Sequence, residues 1–342
     1  MDFLKIDGSY GEGGGQIVRS SITLSCITKK PIIIENIRKK RKIPGLRPQH
    51  LTGIKLLAKI CNAKVDGLKI GSTTIKFIPK TVENYTIEEN IGTAGSISLI
   101  LQILIPAVSI SKNRLKLSII GGTDVPWSPT SNFTKYVLSE AYSRMGINFS
   151  MEIKKRGYYP RGGGLVEIEV YPTKQLKPIL LTQRQTKSVK LLCSYSDLSS
   201  DRIKNEVQEA ENLLKDANLS VESEIKKEIA LNKGGSMLVY AYDSNSIVGS
   251  DGLTDTTKEF GKSISKNFIR CYLGADNHLS DMLVLPASLI NETSIYRIKE
   301  ITKHLETNLY IASKITGCKY GIGKLNDGFE LRIAGNSNTA IQ

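Results

Sequence analysis

The residues best suited to chemistry are a histidine near a helix start, one acidic residue in a glycine run, and arginines set among apolar neighbours. Histidine occurs only at His50, His278 and His304. A helix beginning near Thr302 places Ile301, Leu305, Leu309, Ala312 and Ile315 on one apolar arc, and 100° steps put His304 and Asn308 within it. The positive end of a helix dipole disfavours imidazolium and attracts anions. A neutral, nucleophilic nitrogen of His304 facing a bound phosphate is therefore one reading. A hydrogen-bonded core histidine is the other.

The run GEGGGQ supplies Gly11, Gly13, Gly14 and Gly15 around Glu12. It fits neither G-x-G-x-x-G, because Gln16 takes the sixth position, nor the G-x-x-x-x-G-K-[ST] loop. Glycines opening a helix still let backbone N–H groups approach a phosphate, and Glu12 could hold a divalent metal beside it, or simply be an exposed turn residue. Arg19 is the one charge in Gln16 to Thr28. A buried guanidinium needs an anion, supplied either by Glu12 or by a bound phosphate. The loop IRKKRKIPGLRPQH gathers Arg38, Lys39, Lys40, Arg41, Lys42 and Arg47, with Gln49 and His50 at its far edge. It suits a nucleic acid backbone or is a solvated surface. Gln102 is the one long polar side chain in an apolar helix and needs a partner, ligand or backbone. Asp281 precedes an apolar run, as a helix cap, an adenine or ribose contact, or a metal ligand. Lys5-Ile6-Asp7-Gly8 matches the K-x-D-G pattern of lysine-adenylating ligases, but Lys5 starts a predicted strand, where a solvated lysine is ordinary.

These residues are spaced along a repeat. A strand (FLKID), a glycine entry and a small-residue helix recur as NYTIEE, GTAGS and Ile97 to Ala107, with Gly92 standing 81 positions after Gly11. Second helices are expected at Pro48 to Cys61 and Asn132 to Met145. Three glycine-centred hairpins, VDGLKIGSTTIKFIP, KKRGYYPRGGGLVEIEVYP and GCKYGIGKLNDGFELRIAG, close the units. The unit reads β-α-β-α-β-β, and three copies build a layered α/β domain over residues 1–179 and 273–342. The third copy is too long unless something is inserted. From about Leu180 to Tyr272 the texture turns charged and amphipathic, with strands at VKLLCSY and SMLVYAY, so residues 180–272 read as a small inserted α/β domain.

With 342 residues there is room for a large core. Lys and Arg number 47 against 33 Asp and Glu, a net charge of +14 that favours polyanionic partners. Five scattered cysteines with no C-x-x-C pair point to reduced thiols in a cytoplasmic protein without a zinc ribbon. The opening MDFLKIDGSYG is unlike a secretory signal, and Ile97 to Ile110 falls short of the ~20 apolar residues of a membrane span, so no membrane is expected.

Taken together, DGSYGEGGGQIVRS, RKKRKIPGLRPQHLTG, GTAGS…LQ…PA, GGTDVPWSP, YYPRGGG and HLETN resemble the RNA 3′-terminal phosphate cyclases over almost the whole chain. The resemblance implies three β-α-β-α-β-β units with an inserted domain, and ATP-dependent closure of an RNA 3′-phosphate into a 2′,3′-cyclic ester through enzyme-AMP and adenylylated RNA. It makes His304 the nucleophile and Glu12 the ligand of magnesium or manganese. Arg19, Arg38, Arg41 and Gln49 become RNA-phosphate contacts. Gln102, Pro129, His278, Leu279, Ser280, Asp281 and Met282 form the ATP pocket, with Pro129 near the adenine. Some relatives have tyrosine at His278 and glutamine at Met282, so the nucleotide contacts there differ. The family also includes non-catalytic ribosome assembly factors, against which His304, Glu12, Arg38 and Arg41 argue. Oligomeric state is open, a homodimer being one option.

Overall fold

In β1 (Leu4–Asp7) Ile6 is buried while Lys5 and Asp7 are exposed, the period-two alternation of a strand with one covered face. The computed structural model, which describes residues 2–254 and 259–336, repeats this logic throughout. After α1 (Gln16–Thr28), β2 (Ile32–Glu35) and α2 (Pro48–Ile60) come β3 (Lys64–Asp66) and β4 (Ile75–Ile78), giving a sheet of order β1-β2-β4-β3. β1 and β2 run parallel; the other two pairings are antiparallel.

The second unit follows the same plan: β5 (Tyr85–Asn90), α3 (Ile97–Ile110), β6 (Leu115–Gly121), α4 (Ser139–Arg144), β7 (Phe149–Lys155) and β8 (Gly164–Val170), in sheet order β5-β6-β8-β7. One feature departs from the expected helix at Asn132 to Met145. Its first part, Phe133–Leu138, is wound as a π-helix before α4 begins.

Next come β9 (Leu180–Leu181), then β10 (Ser188–Ser196), α5 (Ser200–Asp216), β11 (Ser220–Lys227), β12 (Gly234–Asp243), β13 (Ser246–Leu253) and α6 (Phe260–Arg270). Strands β11-β10-β12-β13 form their own sheet. Along β12, Met237, Val239 and Ala241 join a small cluster with Ile203, Val207, Ala210 and Leu214 of α5, whose three- and four-residue spacing marks one helix face. The alternate residues Leu238 and Tyr240 join the main core. This sheet is thus covered on one face by its own helices and docks on the rest of the protein by the other.

The third unit resumes with α7 (Asn277–Ala287), β14 (Ser294–Ile298), α8 (Lys303–Thr316), β15 (Lys319–Lys324) and β16 (Phe329–Ala334), in sheet order β9-β14-β16-β15. Leu180–Leu181 pairs in parallel with β14, so these two residues, expected to open the insert, lie by pairing in the third repeat sheet. Three sheets thus share one strand order, and the fold is mixed α/β in layers. Their helices pack on each other, α1 against α8 and α3, and α7 against α8. In α1, Ile17, Val18 and every residue from Ser20 to Ile27 are buried, as expected of a helix enclosed on all sides. Among the described residues no helix is long and apolar enough to cross a membrane.

Candidate active site

The N-terminus of α8 presents His304 as its second residue. Thr302 caps this helix, accepting from the Leu305 N–H at 2.9 Å, and its own hydroxyl donates to Asp281 Oδ1 at 2.9 Å. His304 Nδ1 lies 3.5 Å from Glu12 Oε2 and is buried without a hydrogen bond among the described residues. Since the side chain as a whole is 46 % exposed, the open side of the ring is the Nε2 side. Burial first, then the charges of Arg19, His278 and Arg41, hold the imidazole below its ordinary range. The ring is therefore neutral at neutral pH, with Nε2 turned outward.

Glu12 is fixed from several directions. Arg41 forms an ion pair with its carboxylate and donates to its carbonyl oxygen at 3.3 Å, while the Glu12 N–H donates to Thr307 Oγ1 on α8 at 3.3 Å. A Cβ on Gly14 would stand 2.3 Å from the Glu12 carboxylate, so the glycine lets the carboxylate keep this position. Tyr10 stacks on Tyr310 of α8, ring centroids 3.8 Å apart, bracing the glycine loop against that helix.

Arg19 does not pair with Glu12. Its Nη2 donates to Gln16 Oε1 at 2.5 Å and its Nε has no partner among the described residues; burial lowers it to about 10. Around it the basic loop divides. Lys39, Lys40 and Lys42 are exposed, the solvated surface that a charge run suggests, whereas Arg41 grips Glu12 and the buried Arg38 Nε has no partner among the described residues. His50 is 4 % exposed and accepts from the Arg47 N–H through Nδ1 at 3.0 Å, which leaves its proton on Nε2. Burial, then Arg19, Arg38 and Arg47, push it down to about 3. A Cβ on Gly15 would lie 2.4 Å from His50 Nε2 and 3.0 Å from Arg19 Nη1, so the glycine leaves room for both groups. Arg19, Gln49 and His50 line one small cleft. The rest of that cleft is apolar, lined by Val18, Ile22, Ile54, Leu99, Ile100 and Ile103; the uncapped first turn of α1 stands beside it, and these donors are of the type that binds anions.

On the other flank α7 corrects one expectation. Asp281 is not a cap; that role belongs to Asp276, which accepts from Leu279 N–H at 2.9 Å and Gly249 N–H at 2.8 Å. Asp281 lies inside the helix, pushed up to about 7 by burial. Asn308 of α8 donates to its backbone carbonyl at 2.7 Å and accepts from Gln16 at 3.1 Å and Ser20 at 2.5 Å, tying α1, α7 and α8 together. Leu279, Ser280 and Met282 are buried, and the Ser280 hydroxyl is used on Asn277 O at 2.8 Å. His278 is largely exposed and stands edge-on to Phe133, with Nε2 4.0 Å from Asp251 Oδ1. Asp251 Oδ2 in turn accepts from the Thr130 N–H at 2.6 Å, which brings the backbone beside Pro129 near His278. Gln102 is half-buried on α3, and no hydrogen bond joins it to the others among the described residues.

Helix α8 of the third unit thus meets the glycine loop and the basic loop of the first. The family model for RNA 3′-terminal phosphate cyclase matches residues 10–322. This chain belongs to that family. An RNA 3′-terminal phosphate cyclase of Methanococcoides burtonii is 38% identical over 336 residues, covering 96% of this chain and 99% of that protein. Those of Hyperthermus butylicus and Pyrococcus abyssi are 36% identical over 349 residues and 38% over 323, covering 96% and 92% of this chain and 97% and 93% of theirs.

Among the described residues of this cyclase-family chain no cluster of three or more His, Cys, Asp or Glu forms a metal cage. Glu12 alone fits a hard divalent cation that takes one carboxylate and completes its shell with substrate phosphates, the habit of magnesium. Lys5 lies on the sheet face opposite buried Ile6, away from the helices that carry His304. Sequence reasoning missed Asp276 and Asp251. Asp276 carried the ordinary cap signal, an Asp ahead of a helix; Asp251 sits mid-strand in the insert and had none.

Proposed function

We propose that this chain converts an RNA 3′-terminal phosphate to a 2′,3′-cyclic phosphodiester, using ATP. His304 Nε2 attacks the α-phosphorus, the bond to the bridging oxygen breaks and diphosphate leaves. An oxygen of the RNA 3′-phosphate then attacks the same phosphorus, freeing His304 and leaving AMP on the RNA end. The vicinal 2′-oxygen finally attacks the terminal RNA phosphorus, AMP departs and the ring closes. A nitrogen nucleophile splits one difficult transfer into easier ones. The single observation that carries this reading is a half-exposed imidazole in the first turn of a helix, its buried Nδ1 3.5 Å from Glu12 Oε2 and its other edge open.

Arg19, Arg38, Arg41 and Gln49 are assigned to the RNA phosphate, with His50 Nε2–H as a further donor. Gln102, Pro129 and the run from His278 to Met282 are assigned to ATP, with the side-chain contacts coming from His278 and Asp281. Glu12 would hold magnesium or manganese with the ATP phosphates, and the ion would neutralise charge on them. Residues 1–179 and 273–342, with the β9 pair Leu180–Leu181, are read as the catalytic body, and the rest of 180–272 as the insert. The scattered free thiols are in keeping with a reducing, cytoplasmic setting.

The test uses ATP labelled at the α-phosphate, the protein, and its His304→Ala and Lys5→Ala variants. Label on wild type and Lys5→Ala but not His304→Ala, chased by 3′-phosphate RNA into a cyclic end, is the expected result. Label dependent on Lys5 would mean lysine-type ligation, and no label at all would favour a non-catalytic RNA-binding factor.

A further inference from the structure

Away from His304, three loops carry large apolar side chains into solvent on one rim. Trp127, the only tryptophan of the chain, is 95 % exposed; Tyr159 is 66 % and Ile229 84 % exposed. Single exposed apolar residues need no explanation, but three on loops that are joined to one another do.

The three loops are bolted together underneath. Arg156, almost wholly buried, pairs with Asp124 at 3.0 Å and with Glu228 at 2.6 Å, and donates to Asn132 Oδ1 at 2.9 Å. Asp124 precedes the Trp127 turn and bridges to Tyr158, while Arg156 bridges to Ala230. A groove of about 340 Å³ runs between the loops, lined by Pro126, Tyr159, Leu198, Arg202 and Lys233. Arg161, Arg202 and Lys233 are exposed and unpaired with any carboxylate among the described residues. Aromatic faces interleaved with unneutralised cations are the makings of a single-strand nucleic acid platform.

The rim is continuous with the candidate active site. A Cβ on Gly162 would lie 2.8 Å from Ala94 Cα, and one on the adjoining Gly95 would lie 3.4 Å from Gln49 Cβ. The Tyr159–Gly164 loop therefore abuts the Gly92–Ser96 loop, which abuts a residue assigned to the terminal phosphate.

We propose that this rim binds the single-stranded RNA immediately 5′ of the terminal phosphate. Bases stack on Trp127 and Tyr159, and backbone phosphates lie against Arg161, Arg202 and Lys233. The assignment rests on the proposed function for the direction in which the strand leaves the site. The preorganised network beneath means that little ordering is required on binding.

Trp127 is its own probe. Fluorescence of the full chain is titrated, without ATP, with a single-stranded RNA of about ten nucleotides ending in a 3′-hydroxyl. Saturable quenching that weakens as salt rises is expected. Tyr159→Ala weakens it roughly 5- to 150-fold while Tyr159→Phe retains it; anisotropy of a labelled RNA gives the same readout for Trp127→Ala. Unchanged affinity in Trp127→Ala and Tyr159→Ala, equal quenching by ATP alone, or emission that changes only with protein concentration through self-association would each overturn the proposal. Because the RNA ends in a hydroxyl and no ATP is present, this outcome is independent of whether His304 accepts AMP. Circular dichroism checks that the variants fold.

Discussion

Glu12 Oε2 sits 3.5 Å from Nδ1 of His304, although the two residues are 292 positions apart in the chain. The same carboxylate is clasped by Arg41, so one group both orients the imidazole and anchors the basic loop. Replacing it by glutamine keeps the shape and removes the charge. Glu12→Gln is expected to slow labelling of the protein by α-labelled ATP by about 10- to 100-fold, the usual effect of an outer orienting or metal-holding carboxylate; an unchanged rate would remove Glu12 from the chemistry.

Thr302 serves two helices, capping α8 and hydrogen bonding Asp281 of α7. Thr302→Ala should lower the unfolding free energy in urea by about 1 to 2 kcal/mol through loss of the cap. It should also impair labelling at His304 by loosening the first turn. Thr302→Ser, which retains the hydroxyl, should restore both; failure of that rescue would show that the methyl group matters instead.

Gly15 has φ −81°, a value open to any residue, so Gly15→Ala acts through space alone. Its Cβ would push on His50 and Arg19. A misplacement on the scale of 1 Å can cost on the order of 100-fold. The RNA-dependent chase of AMP should therefore slow at least about tenfold, while labelling by ATP stays near the wild-type rate. Equal loss in both steps would contradict a cradle reserved for RNA.

Burial raises Asp281 from 3.8 to about 7. A carboxyl whose folded value exceeds its unfolded one binds more protons when folded, so its contribution favours folding at low pH and is lost as pH climbs from about 4 to about 7. The stability of Asp281→Asn relative to wild type should accordingly rise over that window, by at most about 1.4 kcal/mol per pH unit, and then level off. Urea unfolding at stepped pH measures it, and a pH-independent difference would be inconsistent with a raised carboxyl.

Much of the fold could be read in advance because the glycine entries and hairpins that mark each unit are local. Gln16 to Thr28 has the expected bounds as α1, and His304 stands in a first turn as expected. Pairing across distance was less legible. Arg19 could not be assigned a partner from its own helix, and its freedom from Glu12 follows only once Arg41 takes that carboxylate. The cap at Asp276 and the interior place of Asp281 are only five positions apart in sequence; the extended backbone of Asp276, ψ 173°, against the helical turn around Asp281 separates them. The short β9 had no periodicity to announce it, and Asp251 reaches His278 only because β13 folds back beside α7.

The spacing between the first two copies is constant. β1 begins at Leu4 and β5 at Tyr85, α1 at Gln16 and α3 at Ile97, each 81 positions on. The same stride carries Glu12 to Thr93 and Arg19 to Ile100. The second copy thus shares the turn and the helix but not the carboxylate or the guanidinium, and the imidazole comes from the third. No single copy in the present chain therefore carries all three groups at these positions; the site exists only where the first and third copies meet, so neither copy would hold it alone.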